Sequence, residues 1–311
     1  MENAASVSAT RKHGMLGATY VSAAALGFSA KAIMVKLAYA YPIDAVTLLF
    51  LRMTISLPIF AAVALWAGRN AATGRLGRND WLAIGALGLS GQFLASLLDF
   101  EGLRFISASL ERVILFVYPT LVVVLSALLF RRRIGLQIAA ALLATYAGIL
   151  LMFANSGAAA GGDALLGAAL VFGSALVFAV YFIGTAQIIG RIGSLRFTAY
   201  TMIVACAAVL IQFAATHEVG ALQLPGRVYG LALAMALFST VLPMFLLTEG
   251  IRRIGADKAS VIGSVGPVAT IFMAFAFLGE PIGAAQLAGT ALVIGGVLWI
   301  SLKREPGSAV R

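Results

Sequence analysis

A chain of 311 residues would suit two soluble domains, yet 61% of it is apolar and only 11% charged, at a mean hydropathy of +1.01. A soluble globule carries about 25% charged residues, so the chain has too little polar surface to face water all round and reads as an all-α integral membrane protein. The formal charge of +10 would suit nucleic acid, but its distribution along the chain excludes that partner and points to the lipid bilayer.

The N-terminus, Met1 to Gly14, is polar and carries Arg11, Lys12 and His13. No short apolar segment with a cleavage site precedes the first long run, so no removed signal peptide is expected. A helix needs about 20 apolar residues to cross the bilayer. Ten runs qualify: 15–38, 45–67, 81–100, 107–130, 134–154, 164–187, 197–215, 228–249, 258–278 and 283–302. Short gaps separate them, marked by turn residues such as Tyr41-Pro42, Pro225-Gly226 and Gly279-Glu280-Pro281. Runs of this length exclude a barrel, whose strands need about 10 alternating residues.

Lysine and arginine fix the orientation. With the N-terminus in the cytoplasm, 16 of the 22 cations fall in inner segments, Arg131-Arg132-Arg133 among them, and only Arg104 and Arg227 in outer ones. Lys31, Lys36, Arg52 and Arg112 lie within runs. Both termini are thus expected in the cytoplasm, with the chain in a bacterial inner membrane.

The chain repeats itself at an offset of 148. Glu101-Gly102-Leu103-Arg104 matches Glu249-Gly250-Ile251-Arg252, Pro119 falls on Pro267, and residues 101–153 share 14 identities with 249–301. Five spans per copy make the second copy cross in the opposite sense. The expected architecture is ten transmembrane helices in two inverted five-helix repeats, residues 1–156 and 157–311, around a central cavity. Such repeats characterise secondary transporters.

The order Ala256-Asp257-Lys258-Ala259-Ser260, Gly266-Pro267, Phe277-Leu278-Gly279-Glu280-Pro281 and Gly295-Gly296 resembles the EamA module of the drug/metabolite transporter superfamily. So does Leu103 to Ser109 followed by Tyr118-Pro119-Thr120 in the first half. The resemblance covers about residues 15–302. It implies a carrier with spans 1, 3, 4, 6, 8 and 9 around the cavity and spans 5 and 10 outside. Members move amino acids, nucleotide sugars and phosphorylated sugars, the YddG-type aromatic amino-acid exporters among them. The chain departs from the pattern at Glu111-Arg112, where its own second copy has Ala259-Ser260.

Charge inside a membrane is costly and marks a cavity or a partner. Lys31 lies about 24 Å along its helix, at 1.5 Å per residue. It would attract a carboxylate or phosphate, form an ion pair with Asp99 or Glu111, or snorkel outwards. Lys36 and Arg52 lie nearer the span ends, where snorkelling suffices. Gln92, Ser96 and Asp99 form a polar stripe at helical spacing, and Asp99 would pair with Arg112 as an outer gate or as a permanent bridge. Glu101, Glu111 and Glu249 complete the gate or coupling candidates. Lys31, Gln92, Ser96, Arg112, Tyr118, Phe178, Tyr181, Phe238 and Ser264 are candidates to contact cargo. Pro119 and Pro267, with Gly263 and Gly266, would act as hinges or static kinks. Gly17, Gly85, Gly88, Gly167, Gly289, Gly295 and Gly296 read as helix-packing positions.

Two histidines and one cysteine cannot build a His-rich metal site, and neither a P-loop nor a serine elbow appears. No metal or cofactor is therefore expected. The best reading is a metabolite carrier, not an enzyme, exporting an amino acid by alternating access. Exchange of a phosphorylated or nucleotide-linked solute, or an intramembrane lipid-acting enzyme, are the alternatives. Oligomeric state stays open, a monomer being sufficient.

Overall fold

The computed structural model describes residues 2–69, 76–129, 136–155, 162–254, 262, 263 and 265–302. Among these the chain is helical and holds no strand. The helices are α1 (Glu2–Ala38), α2 (Ala45–Arg69), α3 (Arg78–Leu87), α4 (Ala95–Gly102), α5 (Ala108–Leu115), α6 (Tyr118–Leu129), α7 (Leu136–Asn155), α8 (Gly162–Ile192), α9 (Ser194–Thr216), α10 (Gly226–Ala236), α11 (Leu242–Ile254), α12 (Val265–Leu278) and α13 (Ala284–Leu302). Among the described residues, seven stretches are long and apolar enough to span a membrane, and three shorter apolar helices, Leu142–Ala154, Val265–Leu278 and Ala284–Trp299, accompany them.

Two spans carry a feature that periodicity did not reveal. Between α3 and α4, residues Gly88–Leu94 wind as a π-helix, and between α10 and α11 so do Leu237–Val241. The sequence offset of 148 carries 88–94 onto 236–242, so the wide turns sit at matching places in the two copies. At each exit the backbone N–H reaches back five residues, Ala95 to Ser90 and Leu242 to Leu237. Such bulges gather at functional sites.

The expected single helix through Pro119 is broken. α5 ends at Leu115, Phe116 and Val117 turn, and α6 restarts at Tyr118. Pro119 lacks an N–H and its ring crowds the preceding turn, so it is accommodated as the second residue of a new helix. Pro267 is likewise the third residue of α12.

The two copies interleave. α1 packs on α11 and α12 of the second copy, while α8 packs on α4, α5 and α6 of the first. α2 lies along α9, and α7 along α13. Glycines set the closest crossings. A Cβ on Gly17 would meet Ile254 Cγ2 at 2.5 Å, and one on Gly250 would meet Val21 Cγ2 at 2.5 Å and the Gly17 carbonyl at 3.1 Å. A Cβ on Gly102 would meet Val171 Cγ2 at 2.6 Å and the Gly167 carbonyl at 2.8 Å, and one on Gly167 would meet the Gly102 carbonyl at 3.0 Å. Gly17 with Gly250, and Gly167 with Gly102, are the same pair seen in the two copies. Along α1, Gly17 meets Ile254 and Gly27 meets Pro243, and along α8, Gly167 meets Phe105 and Gly173 meets Leu98, so α1 and α11 are antiparallel, as are α8 and α4. Of the other expected packing glycines, Gly88 and Gly289 are tightly covered, whereas Gly85 and Gly295 face open space. Replacing Gly102 with Leu is expected to lower unfolding stability by about 1–3 kcal/mol through overpacking. Gly250→Leu should match it in thermal unfolding of the purified protein.

At the end where α1 gives way to α2, Asp44 caps α2. Its carboxylate accepts the Thr47 N–H at 3.0 Å and the Thr47 hydroxyl at 2.5 Å, and lies 3.2 Å from His217 Nε2 beyond α9. Burial pushes this carboxyl up, but the Thr47 bonds and the His217 ring outweigh burial and hold it below the usual carboxylate range. A depressed carboxyl stabilises the fold above its unfolded pKa, and that contribution is lost as pH falls through the folded value. The thermal midpoint should therefore fall below about pH 4, and Asp44→Asn should flatten that limb in an unfolding series across pH.

Candidate functional site

A cavity of about 480 Å³ lies where the two copies meet. Its walls come from α1, α2, both π-turns and the helices after them, α5, α8, the start of α9 and the start of α12. Along α1 the lining runs from Val21 to Lys31, and on α4 it stops at Asp99. On α8 it runs from Ser174 to Ile189, and on α11 to Thr248. The hollow thus extends from the charged cluster towards the end where α8 passes into α9, the end that bears Arg191, Arg196 and Arg253.

The cluster itself is buried. Lys31 Nζ bonds Asp99 Oδ2 and lies 3.7 Å from Glu111 Oε1. The expected Asp99–Arg112 pair does not form. Arg112 instead donates Nη2 to the Phe28 carbonyl and sets Nε 3.9 Å from Glu111 Oε2. Asp99 is taken up instead by Lys31, which reaches it from α1. Tyr39 ties the same end together, its hydroxyl donating to the Phe100 carbonyl at 2.7 Å.

A second closure crosses between the copies. Gly279 takes φ +69, ends α12 in the left-handed region that glycine favours, and turns Glu280 towards α5. Glu280 Oε1 accepts the Ala108 N–H at 2.8 Å, and Oε2 accepts the Ser109 N–H at 3.2 Å and the Ser109 hydroxyl at 2.7 Å. Ser107 accepts the Leu110 and Glu111 N–H groups with its hydroxyl and carbonyl. Three free donors of the α5 N-terminus, those of Ala108, Ser109 and Leu110, are thereby satisfied, two of them by a carboxylate placed favourably against the helix dipole. Neither Glu280 nor Ser109 stood among the expected site residues, because partners 171 residues apart leave no local trace.

Of the residues expected to meet cargo, Lys31, Gln92, Ser96 and Arg112 line the cavity, as do Tyr118, Phe178 and Tyr181. The rings form one wall. Tyr118 meets Phe178 edge-on at 5.2 Å, and Phe178 stacks with Tyr181 at 5.7 Å. Phe182, not anticipated, joins them 5.3 Å from Tyr118. Phe238 is a correction: it is 60% exposed and points away, because the π-turn directs Ser239 and Thr240 inward. Ser264 lies outside the described residues.

Among the gate candidates, Asp99 lines the cavity and Glu111 lies buried behind it. Glu101 bonds Arg104 at 3.0 Å in the loop, and Glu249 bonds Arg253 at 2.7 Å on its own helix, so neither reaches the hollow. Gly263, Gly266 and Pro267 line it, whereas Pro119 does not. Arg52, expected near a span end, is instead buried in the cavity wall. Among the described residues no group of three His, Cys, Asp or Glu side chains has metal-site geometry.

The EamA-like transporter family profile matches residues 15–154 and again 165–302. The chain is 33% identical over 277 residues to the uncharacterized transporter YcbK of Bacillus subtilis (strain 168), covering 88% of this chain and 87% of that one. It is 27% identical over 223 residues to the uncharacterized transporter YyaM of the same organism, with 69% and 71% covered. A crystal structure of another protein superimposes with a TM-score of 0.66 at 18% identity, over 96% of this chain and 99% of that one, and speaks to the fold alone.

Proposed function

Because the chain belongs to the EamA-like transporter family of the drug/metabolite transporter superfamily, we propose that it is a secondary carrier exporting an amino acid or related metabolite by alternating access. One observation carries this reading: a cavity of about 480 Å³ between the copies, charged at its closed end and walled by aromatic rings. In this reading ten helices cross an inner membrane as two inverted halves, residues 1–156 and 157–311, with both termini in the cytoplasm. The antiparallel crossings at Gly17 with Gly250 and at Gly102 with Gly167 support the inversion, and the excess of loop cations on one side supports the orientation. The hollow then faces inward, and Lys31, Asp99, Glu111 and Arg112 act as the outer gate, which breaks and reforms with each cycle. An interface between two similar halves can open to either side when one rocks against the other.

The test is counterflow in proteoliposomes of the purified protein, with amino acids set against sugar phosphates. Exchange of an amino acid is expected. Exchange of sugar phosphates alone would replace the cargo. Breakdown of lipid without any counterflow would replace the carrier by an enzyme.

A further inference from the structure

Among the described residues, cations outnumber carboxylates around the cavity: Lys31, Arg52 and Arg112 stand against Asp99 and Glu111. Lys31 engages both carboxylates and Arg112 leans on Glu111, so two cations and both acids are accounted for. Arg52 is left over. It is 4% exposed, and among the described residues it has no carboxylate within 4.0 Å. It is nevertheless fixed in place. Nη2 donates to Ser96 Oγ at 3.3 Å, and the guanidinium carbon sits 4.8 Å over the Phe100 ring, a cation–π contact. Its Nε is buried with no acceptor.

Gln92 lies one turn before Ser96 on the same wall. Its amide lies against the Tyr181 hydroxyl. Arg52 and Gln92 thus stand on one wall of the hollow, and a buried guanidinium without a carboxylate beside it is rare in a finished fold. A carboxylate is planar, accepts hydrogen bonds, and brings one negative charge. The ring wall of Tyr118, Phe178, Tyr181 and Phe182 stands ready for an apolar body.

Resting on the carrier reading above, we propose that Arg52, Gln92 and Ser96 form the seat for the carboxylate of an apolar organic acid or amino acid. The carboxylate is what the site requires; an ammonium group is optional. Lys31 and Arg112 belong to the closure and not to this seat.

Three probes with one apolar body separate the cases: L-phenylalanine (zwitterion), phenylpyruvate (anion) and phenethylamine (cation). Binding is read as thermal stabilisation of the purified full-length protein, and transport as counterflow. The two carboxylates should bind, and phenethylamine should bind at least tenfold more weakly. Arg52→Gln should weaken both carboxylates at least tenfold, and Arg52→Lys should recover part of the loss. Gln92→Leu, which leaves Arg52 in place, should weaken them several-fold and guards against misfolding of the arginine variants. Binding of phenethylamine as tight as that of phenylalanine overturns the inference, as does unchanged carboxylate affinity in Arg52→Gln and Gln92→Leu, or failure of both carboxylates to bind the wild type. Counterflow of the amine alone would overturn the seat and leave the carrier standing. No counterflow of any probe, amino acid or sugar phosphate would remove the carrier itself.

Discussion

Replacing Lys31 with Met is expected to abolish counterflow and to lower unfolding stability by about 3–5 kcal/mol, the usual cost of removing one partner of a buried ion pair. Lys31 is the only cation within bonding distance of Asp99 among the described residues, and it also lies 3.7 Å from Glu111. Both acids are almost wholly buried, at 2% and 0% exposure. Without the ammonium they face each other with only Arg112 nearby. The loss should therefore come from stranded carboxylates more than from a missing attraction. Adding Asp99→Asn to Lys31→Met should recover much of the stability but not the transport. Equal stability of the single and double variants in thermal unfolding would show that the pair is not coupled.

Replacing Glu280 with Ala should open the outer end. Hydrogen bonds to a charged group contribute about 1.5–3 kcal/mol each, and Glu280 accepts three on α5. Losing even one such contribution shifts a two-state balance by more than tenfold. A cysteine at Ala95, which lines the cavity, reports this in a background where the buried Cys206 is replaced by Ala. A thiol reagent that cannot cross the membrane should label Ala95→Cys from outside much faster once Glu280→Ala is added. Unchanged labelling would mean that the bonds merely cap a helix.

Much of the architecture was legible because lipid imposes simple rules. Apolar run length anticipated the seven span-length helices found among the described residues, and the three shorter apolar helices fall inside the other three expected runs; the offset of 148 places Gly102 and Gly250 in register, and both stand at crossings. The polar stripe of Gln92, Ser96 and Asp99 does face the hollow. The misses share a cause. Helical periodicity assumes about 100° per residue, and a π-turn adds a residue that rotates what surrounds it. Phe238 is an aromatic candidate by residue type alone, and the π-turn at Leu237–Val241 leaves it 60% exposed while Ser239 and Thr240 line the hollow. Arg52 was judged by its distance from the span end, yet burial is set by α4, whose Ser96 and Phe100 enclose it. Glu280 looked like loop punctuation because its partners belong to the other copy.

The interleaving has a consequence for how the molecule is made. α1 leaves the ribosome well before the surfaces that cover it: Ser29 donates to the Gly266 carbonyl, 237 residues downstream. At about 5–20 residues per second, the opening helix waits roughly 10–50 s for that neighbour. During the wait its flank, with the carbonyl of Gly27 that Ser239 later engages, must be sheltered by lipid or by the insertion machinery. Neither half is a finished object, and a chain stopped before α11 would leave α1 without the helices that cover it.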